Sequence, residues 1–319
     1  MSLPPAHPDA YHAAFERFAR NVRDYCRQHP FNLSFDRLVN ALRKDIHSSY
    51  PFLFIDAVDQ NDSPYLFGLA ETLGIAMDYY YMHLILCDRI VDERRENELI
   101  EYMLLSNVLH RRAIITLSTF FPPNSMLWTY FERYDHECTN ALLREQHNHW
   151  AVFQPYKEEE FIEIAAGKAA PAKVVATALA LYAGKPELIE RISHSQDFFH
   201  IAYQLSDDLK DWRKDYEAKQ YSFILSKVIE SHDLQNEVNS PTRPDVDTIG
   251  KMLYYSGVAE MGLDMCIEYL REAFQAVEQI YCPSWKLTIE QMKAKCIADK
   301  ETITAKRRES LTKIGIACT

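Results

Sequence analysis

Asp207, Asp211 and Asp215 recur at intervals of four within residues 203–221, YQLSDDLKDWRKDYEAKQY, a stretch whose remaining residues follow a helical pattern. At about 100° of rotation per residue they climb one side of a helix, with Asp208 at the edge of the same arc. Like charges stacked in this way destabilise a bare helix, so something positive is expected against them. One reading is a solvated acidic face with Lys210, Arg213 and Lys214 as local counterions. The other places a divalent cation there, because Mg²⁺ takes hard oxygen ligands, keeps several waters and bridges to a substrate phosphate.

A second acidic pair favours the metal. Residues 78–95, DYYYMHLILCDRIVDERR, set Asp88 and Asp92 one helical turn apart, directly after Tyr79, Tyr80, Tyr81, Leu84, Ile85 and Leu86. Carboxylates in so apolar a context are costly to bury unless paired or metal-bound. Two such helices facing each other would form a diphosphate-binding mouth above an apolar pocket.

The rest of the chain suits helices. Only 8 glycines in 319 residues, few alternating runs and long stretches of Ala, Leu, Glu, Lys and Met predict an all-α protein with negligible strand. With 47% hydrophobic content and no evident linker, residues 1–319 are expected to form a single-domain bundle of about ten to thirteen helices around a central cavity. Helices are expected near residues 34–48, 100–119, 126–150, 247–280 and 284–308, with Trp128, Phe131, Tyr134, Cys138 and Leu142 facing inward. The charged, proline-containing segment 231–247 is expected to be a mobile lid edge.

Charge and cysteine usage narrow the partners. The balance of 35 basic and 46 acidic residues, net −11, disfavours nucleic acid or an anionic membrane and suits divalent cations. Seven scattered cysteines without a Cys-x-x-Cys argue against a disulfide framework and for a reducing, cytoplasmic setting. Neither an export signal nor a membrane span is expected, and Cys318 is misplaced for prenylation.

Tyr203-Gln204-Leu205-Ser206-Asp207-Asp208-Leu209-Lys210-Asp211 is similar to the second aspartate-rich motif of the trans-isoprenyl diphosphate synthases, and Asp88-Arg89-Ile90-Val91-Asp92 resembles their first. Between them, Ala166-Gly167-Lys168-Ala169-Ala170 and Leu181-Tyr182-Ala183-Gly184 resemble the lysine-containing segment that contacts the diphosphate in that family. Squalene and phytoene synthases are similar in another way, through Gln204-Leu205, Asp211 with Asp215, and then Tyr221.

The resemblance implies the isoprenoid synthase fold, an isoprenyl diphosphate substrate, and a cluster of Mg²⁺ ions, replaceable by Mn²⁺. The metal would be held by Asp88, Asp92, Asp207 and Asp211, with Asp208 and Asp215 beside them. Lys168, with Arg94, Arg95, Lys214 or Lys219, would pair with phosphate oxygens, and Gln204 and Tyr221 would line the same site. Tyr79, Tyr80, Tyr81, Phe199 and Tyr203 would shield an allylic cation, although aromatic residues at helical spacing are more often core. His83, five residues before Asp88, would limit pocket depth, with Leu84 beside it. His147 and His149 are expected on the surface, and homodimers are common in the family.

Two departures set the expected reaction. The basic Gly-Lys-Arg and Arg-Pro motif for the second substrate is replaced by His47-Ser48-Ser49-Tyr50-Pro51, and Arg89 stands where an aspartate is usual. The Asn-Ser-Glu metal motif of ordinary microbial terpene synthases is also missing. These departures imply a class I terpene synthase, a lyase that ionises one diphosphate of geranyl to geranylgeranyl length to a cyclic or linear terpene. The alternative is an isoprenyl diphosphate synthase or a head-to-head prenyltransferase, and the third reading is a non-catalytic helical partner.

Overall fold

The computed structural model describes residues 8–29, 31, 39, 42, 49–59, 64–92, 96–241 and 243–313. Among them are thirteen α-helices: α1 (Pro8–Arg27), α2 (Tyr50–Val58), α3 (Pro64–Asp92), α4 (Glu96–Leu117), α5 (Met126–His149), α6 (Glu158–Lys168), α7 (Lys173–Tyr182), α8 (Ile189–Ala218), α9 (Phe223–Ser231), α10 (Gln235–Val238), α11 (Val246–Tyr255), α12 (Val258–Ala276) and α13 (Pro283–Lys313). The only extended pairing among the described residues is a single bridge between Trp150 and Gln220. The all-α expectation therefore holds. The helix expected at residues 34–48 lies outside the described residues apart from Val39 and Leu42, both helical and buried.

The helices gather into two compact units, the first built from residues 1–131, 174–189 and 279–285, the second from 132–173, 190–278 and 286–319. In the first, α1 buries Tyr11, Phe15, Phe18 and Val22, the spacing of one helix face. Phe18 meets Tyr79 of α3 edge-on at 5.2 Å, and Asn21 donates to the Tyr79 hydroxyl at 3.1 Å. Trp285, fully buried, packs on Phe54 and Tyr50 of α2 at 4.9 and 5.7 Å. One side of α4 leaves Ile100, Met103, Leu104 and Ile115 exposed.

In the second unit, close approaches fix the helices around α8. A Cβ on Gly250 would lie 2.6 Å from the Trp212 ring, and one on Gly262 would lie 2.6 Å from Ile224. Ser195 donates to the Ala273 carbonyl at 2.6 Å and Cys266 to that of Ala202 at 3.4 Å.

Three local expectations are corrected. Residues 247–280 are not one helix, because Gly257 takes φ 89° and breaks the run into α11 and α12. Leu142 is exposed, and Ala141 faces inward instead. The segment after α9 is fastened rather than open: it folds into α10, Tyr216 donates to the Pro244 carbonyl at 2.7 Å, and Arg243 donates to the Tyr216 carbonyl at 3.2 Å. Among the described residues, no single helix is long and apolar enough to cross a membrane.

Candidate active site

The α8 aspartates divide between two environments. Asp207, Asp211 and Asp215 are half-buried at one-turn intervals, and Lys210 donates to Asp207 at 2.8 Å. Burial, followed by the charges of Asp211 and Asp207, pushes the Asp215 carboxyl up to about 6, so the three share one negative field. Asp208 points inward and is buried, with Gln204 donating to its Oδ1 at 2.7 Å. Burial pushes its carboxyl up to about 8, aided by Glu145 and Asp215 and opposed by Gln204 and Lys168. Burial thus biases this carboxyl toward its protonated form.

Lys168 ends α6. Its approach depends on Gly167, where a Cβ would meet that of Ala141 on α5 at 2.8 Å and the Glu137 carbonyl at 3.0 Å. The Cys138 thiol donates to the Lys168 carbonyl at 3.6 Å. Lys168 Nζ then lies 2.9 Å from each carboxylate oxygen of Glu145. Lys168 opposes protonation of both Asp208 and Asp215, which places it in their field.

Sequence reasoning missed the other half of this wall. His149 is buried, not on the surface, its ring stacked on that of Tyr156 at 3.5 Å and its Nε2 3.5 Å from Glu160. Burial holds the imidazole below its ordinary range, against the pull of Glu160. Burial raises the Tyr156 hydroxyl, and Glu145 and Asp208 add to that rise. Nothing short-range marks Glu145 or Tyr156, because their partners lie on other helices. The Glu145–Lys168 contact spans 23 positions.

The donor set decides whether a metal fits. Among the described residues, no three His, Cys, Asp or Glu side chains converge to hold an ion unaided. Asp207 and Asp211 supply two hard oxygen ligands one turn apart, with Asp215 in the same field. Mg²⁺ characteristically takes one or two carboxylates and completes its shell with water and phosphate, so this set fits it.

The other expected site residues stand in differing local environments. Asp88 is exposed in the last turn of α3, Asp92 closes that helix, and Arg94 and Arg95 lie outside the described residues. Tyr79, Tyr80 and Tyr81 are buried, with Tyr80 edge-on to Phe131 at 5.3 Å. His83 stacks on His110 at 4.7 Å, its Nδ1 2.7 Å from the Ser106 hydroxyl, and Leu84 is half-buried. Phe199 is buried and Tyr203 half-buried, their rings 6.5 Å apart. Lys214 and Lys219 are exposed, and the Lys219 carbonyl accepts from Ala151 N at 2.8 Å. Tyr221 is buried edge-on against Phe153 at 5.4 Å, its hydroxyl donating to the Val238 carbonyl at 3.4 Å.

No protein-family model matches the chain, and no curated protein matches it. Solved structures do. A polyprenyl synthase from Caulobacter crescentus CB15, complexed with calcium and isoprenyl diphosphate, is 16% identical with a TM-score of 0.71, over 91% of this chain and 94% of that one. A geranylgeranyl pyrophosphate synthase from Lactobacillus brevis ATCC 367 is 15% identical with a TM-score of 0.72, over 91% of this chain and 96% of that one. An octaprenyl pyrophosphate synthase from Helicobacter pylori is 14% identical with a TM-score of 0.70, over 89% of this chain and 97% of that one.

At such identities the likeness is one of fold, and it overturns the expected one-substrate terpene synthase: these structures are synthases of prenyl chains, not cyclases. The misreading came from treating residues 47–51 as a vacated substrate motif. Ser49, Tyr50 and Pro51 are buried at the start of α2, so their identities report packing.

Proposed function

The chain has the fold of the trans-isoprenyl diphosphate synthases, and from that premise we propose that it is a divalent-metal-dependent prenyltransferase that joins isoprenoid diphosphates into longer ones. The observation that carries this reading is that Lys168, within the same compact unit, lies in the electrostatic field of the α8 carboxylates Asp208 and Asp215. An acidic ladder and a half-buried ammonium side by side suit a ligand that is itself a metal–anion pair, namely a diphosphate with its cation.

In this reading Asp207 and Asp211 hold Mg²⁺, which when bound stabilises, as a Lewis acid, the negative charge that builds on the departing diphosphate oxygens. Lys168 pairs with those oxygens as the carbon–oxygen bond breaks. Gln204, bonded to Asp208, fixes the orientation of that carboxyl. Asp88 and Asp92 of α3 are proposed as further metal-binding carboxylates. A second copy of the chain is proposed to cover the exposed side of α4, which sedimentation at micromolar concentration tests.

The deciding assay incubates the protein and Mg²⁺ with geranyl, farnesyl and geranylgeranyl diphosphates, each with and without isopentenyl diphosphate. Longer diphosphates formed only when isopentenyl diphosphate is present support the proposal. Products from two allylic diphosphates alone would shift it to head-to-head coupling. Absence of any product with every combination would remove the enzymatic reading.

A further inference from the structure

We propose that Glu145 is a built-in competitor of the diphosphate, an internal anion that occupies Lys168 and must yield it when the ligand arrives. The inference rests on the reading of Lys168 as a diphosphate contact and concerns what sets the strength of that contact. Lys168 Nζ lies 2.9 Å from each Glu145 oxygen, with the two side chains 24% and 15% exposed. This two-oxygen embrace matches what a phosphate group would offer the same ammonium.

The pair is built by the backbone on both sides. Gly167 lets α6 approach α5 at Ala141, one turn before Glu145, and the Cys138 thiol holds the Lys168 carbonyl. The neighbouring Arg144 turns to Glu160 and Glu163 instead. Binding at Lys168 is thus an exchange of one anion for another. The displaced carboxylate also stays close enough to repel the newcomer. Inorganic diphosphate, the by-product of every coupling step, is therefore held less tightly than an unopposed lysine would hold it.

Calorimetric titration of inorganic diphosphate, at fixed MgCl₂, into wild type, Glu145→Gln, Lys168→Ala and the double variant tests this. Glu145→Gln is expected to bind about tenfold more tightly than wild type, the order at which one charge-assisted pair acts. In the Lys168→Ala background the same substitution is expected to change Kd by less than about twofold, since the competition is gone. Glu145→Asp, which keeps the charge, is expected to stay within about threefold of wild type.

Unchanged or weaker binding by Glu145→Gln, with wild type binding measurably, overturns the proposal and leaves Glu145 a packing partner. Equal tightening by Glu145→Asp also overturns it, because charge would not be the cause. No binding by wild type would instead remove the diphosphate reading of the site itself. Matching circular dichroism and thermal midpoints show that the variants remain folded.

Discussion

Lys173 Nζ lies 2.5 Å from Asp197 Oδ1 and 3.1 Å from Glu137 Oε2, with only 5% of the lysine side chain exposed. The Tyr134 ring sits 5.5 Å from the same nitrogen. Burial pushes the Asp197 carboxyl up and Lys173 opposes it; at Glu137 burial is outweighed by Arg133 and Lys173, which hold it below its ordinary range. Removing the ammonium strands buried charge. Lys173→Ala is therefore expected to lose about 3–5 kcal/mol at neutral pH in urea unfolding. The loss should shrink as pH falls below the ordinary carboxylate range, where both carboxyls take protons in folded and unfolded states alike. An unchanged midpoint at neutral pH would refute the buried pair.

Asp208 gives a pH dependence of the opposite kind. Its carboxyl, raised chiefly by burial to about 8, keeps its proton in the folded state where the unfolded chain has lost it. The folded state binds more protons, so stability falls as pH rises from about 4, the ordinary value, toward 8. Above that range the effect is constant. Asp208→Asn keeps the shape and removes the titration. It is expected to stabilise the protein relative to wild type by more at pH 8 than at pH 5, with a difference on the order of a few kcal/mol. Parallel stability–pH curves for the two proteins would show that Asp208 is ionised throughout.

Periodicity made the helices readable and burial made much of the site unreadable. Tyr11, Phe15, Phe18 and Val22 announce the buried face of α1 in the chain itself, and the four-residue spacing of the aspartates places Asp207, Asp211 and Asp215 on one side of α8. The same periodicity could not tell that Asp208, only one residue further round, turns into the core. Glu145 gained meaning only when α6 brought Lys168 to it across 23 positions, and His149 and Tyr156 only when the turn between α5 and α6 stacked their rings. Gly257 was visible as a residue but not as a break, because a glycine inside a helical pattern does not declare its φ. The absent basic motif misled for a different reason: motif reasoning treats a missing match as a missing function, whereas Tyr50 is simply core.

Gly167 tests how tightly the position of Lys168 is set. A methyl group there would meet the Ala141 Cβ at 2.8 Å and backbone at Glu137 at 3.0 Å, and neither belongs to a flexible side-chain tip. Gly167→Ala should force α6 away from α5 and cost about 1–3 kcal/mol in urea unfolding, more than the helix-propensity gain of alanine returns. Because Lys168 is the next residue, diphosphate binding should weaken as well. If stability rises instead, the two helices are free to separate at this point and the Lys168 geometry is not fixed by the contact.

Asp211 is the middle rung of the acidic ladder, so its removal distinguishes a metal site from a solvated acidic face. Asp211→Asn relieves repulsion with Asp207 and Asp215, which is expected to leave the unfolding free energy unchanged or slightly raised, by about 0.2–0.5 kcal/mol for each like-charge pair. The Asp215 carboxyl, raised in part by Asp211, should titrate at lower pH, visible in its side-chain carboxyl resonance. Product formation should fall by about 100-fold or more, the scale of losing one electrostatic stabiliser of the departing group. Chelation of divalent ions should abolish turnover in wild type, and added Mg²⁺ should restore it there at lower concentration than in the variant. Asp88→Asn is expected to lose activity likewise. A folded Asp211→Asn protein with full activity and an unaltered Mg²⁺ requirement would mean that the ladder is solvated surface, countered by Lys210 and Lys214, and that the metal is held elsewhere.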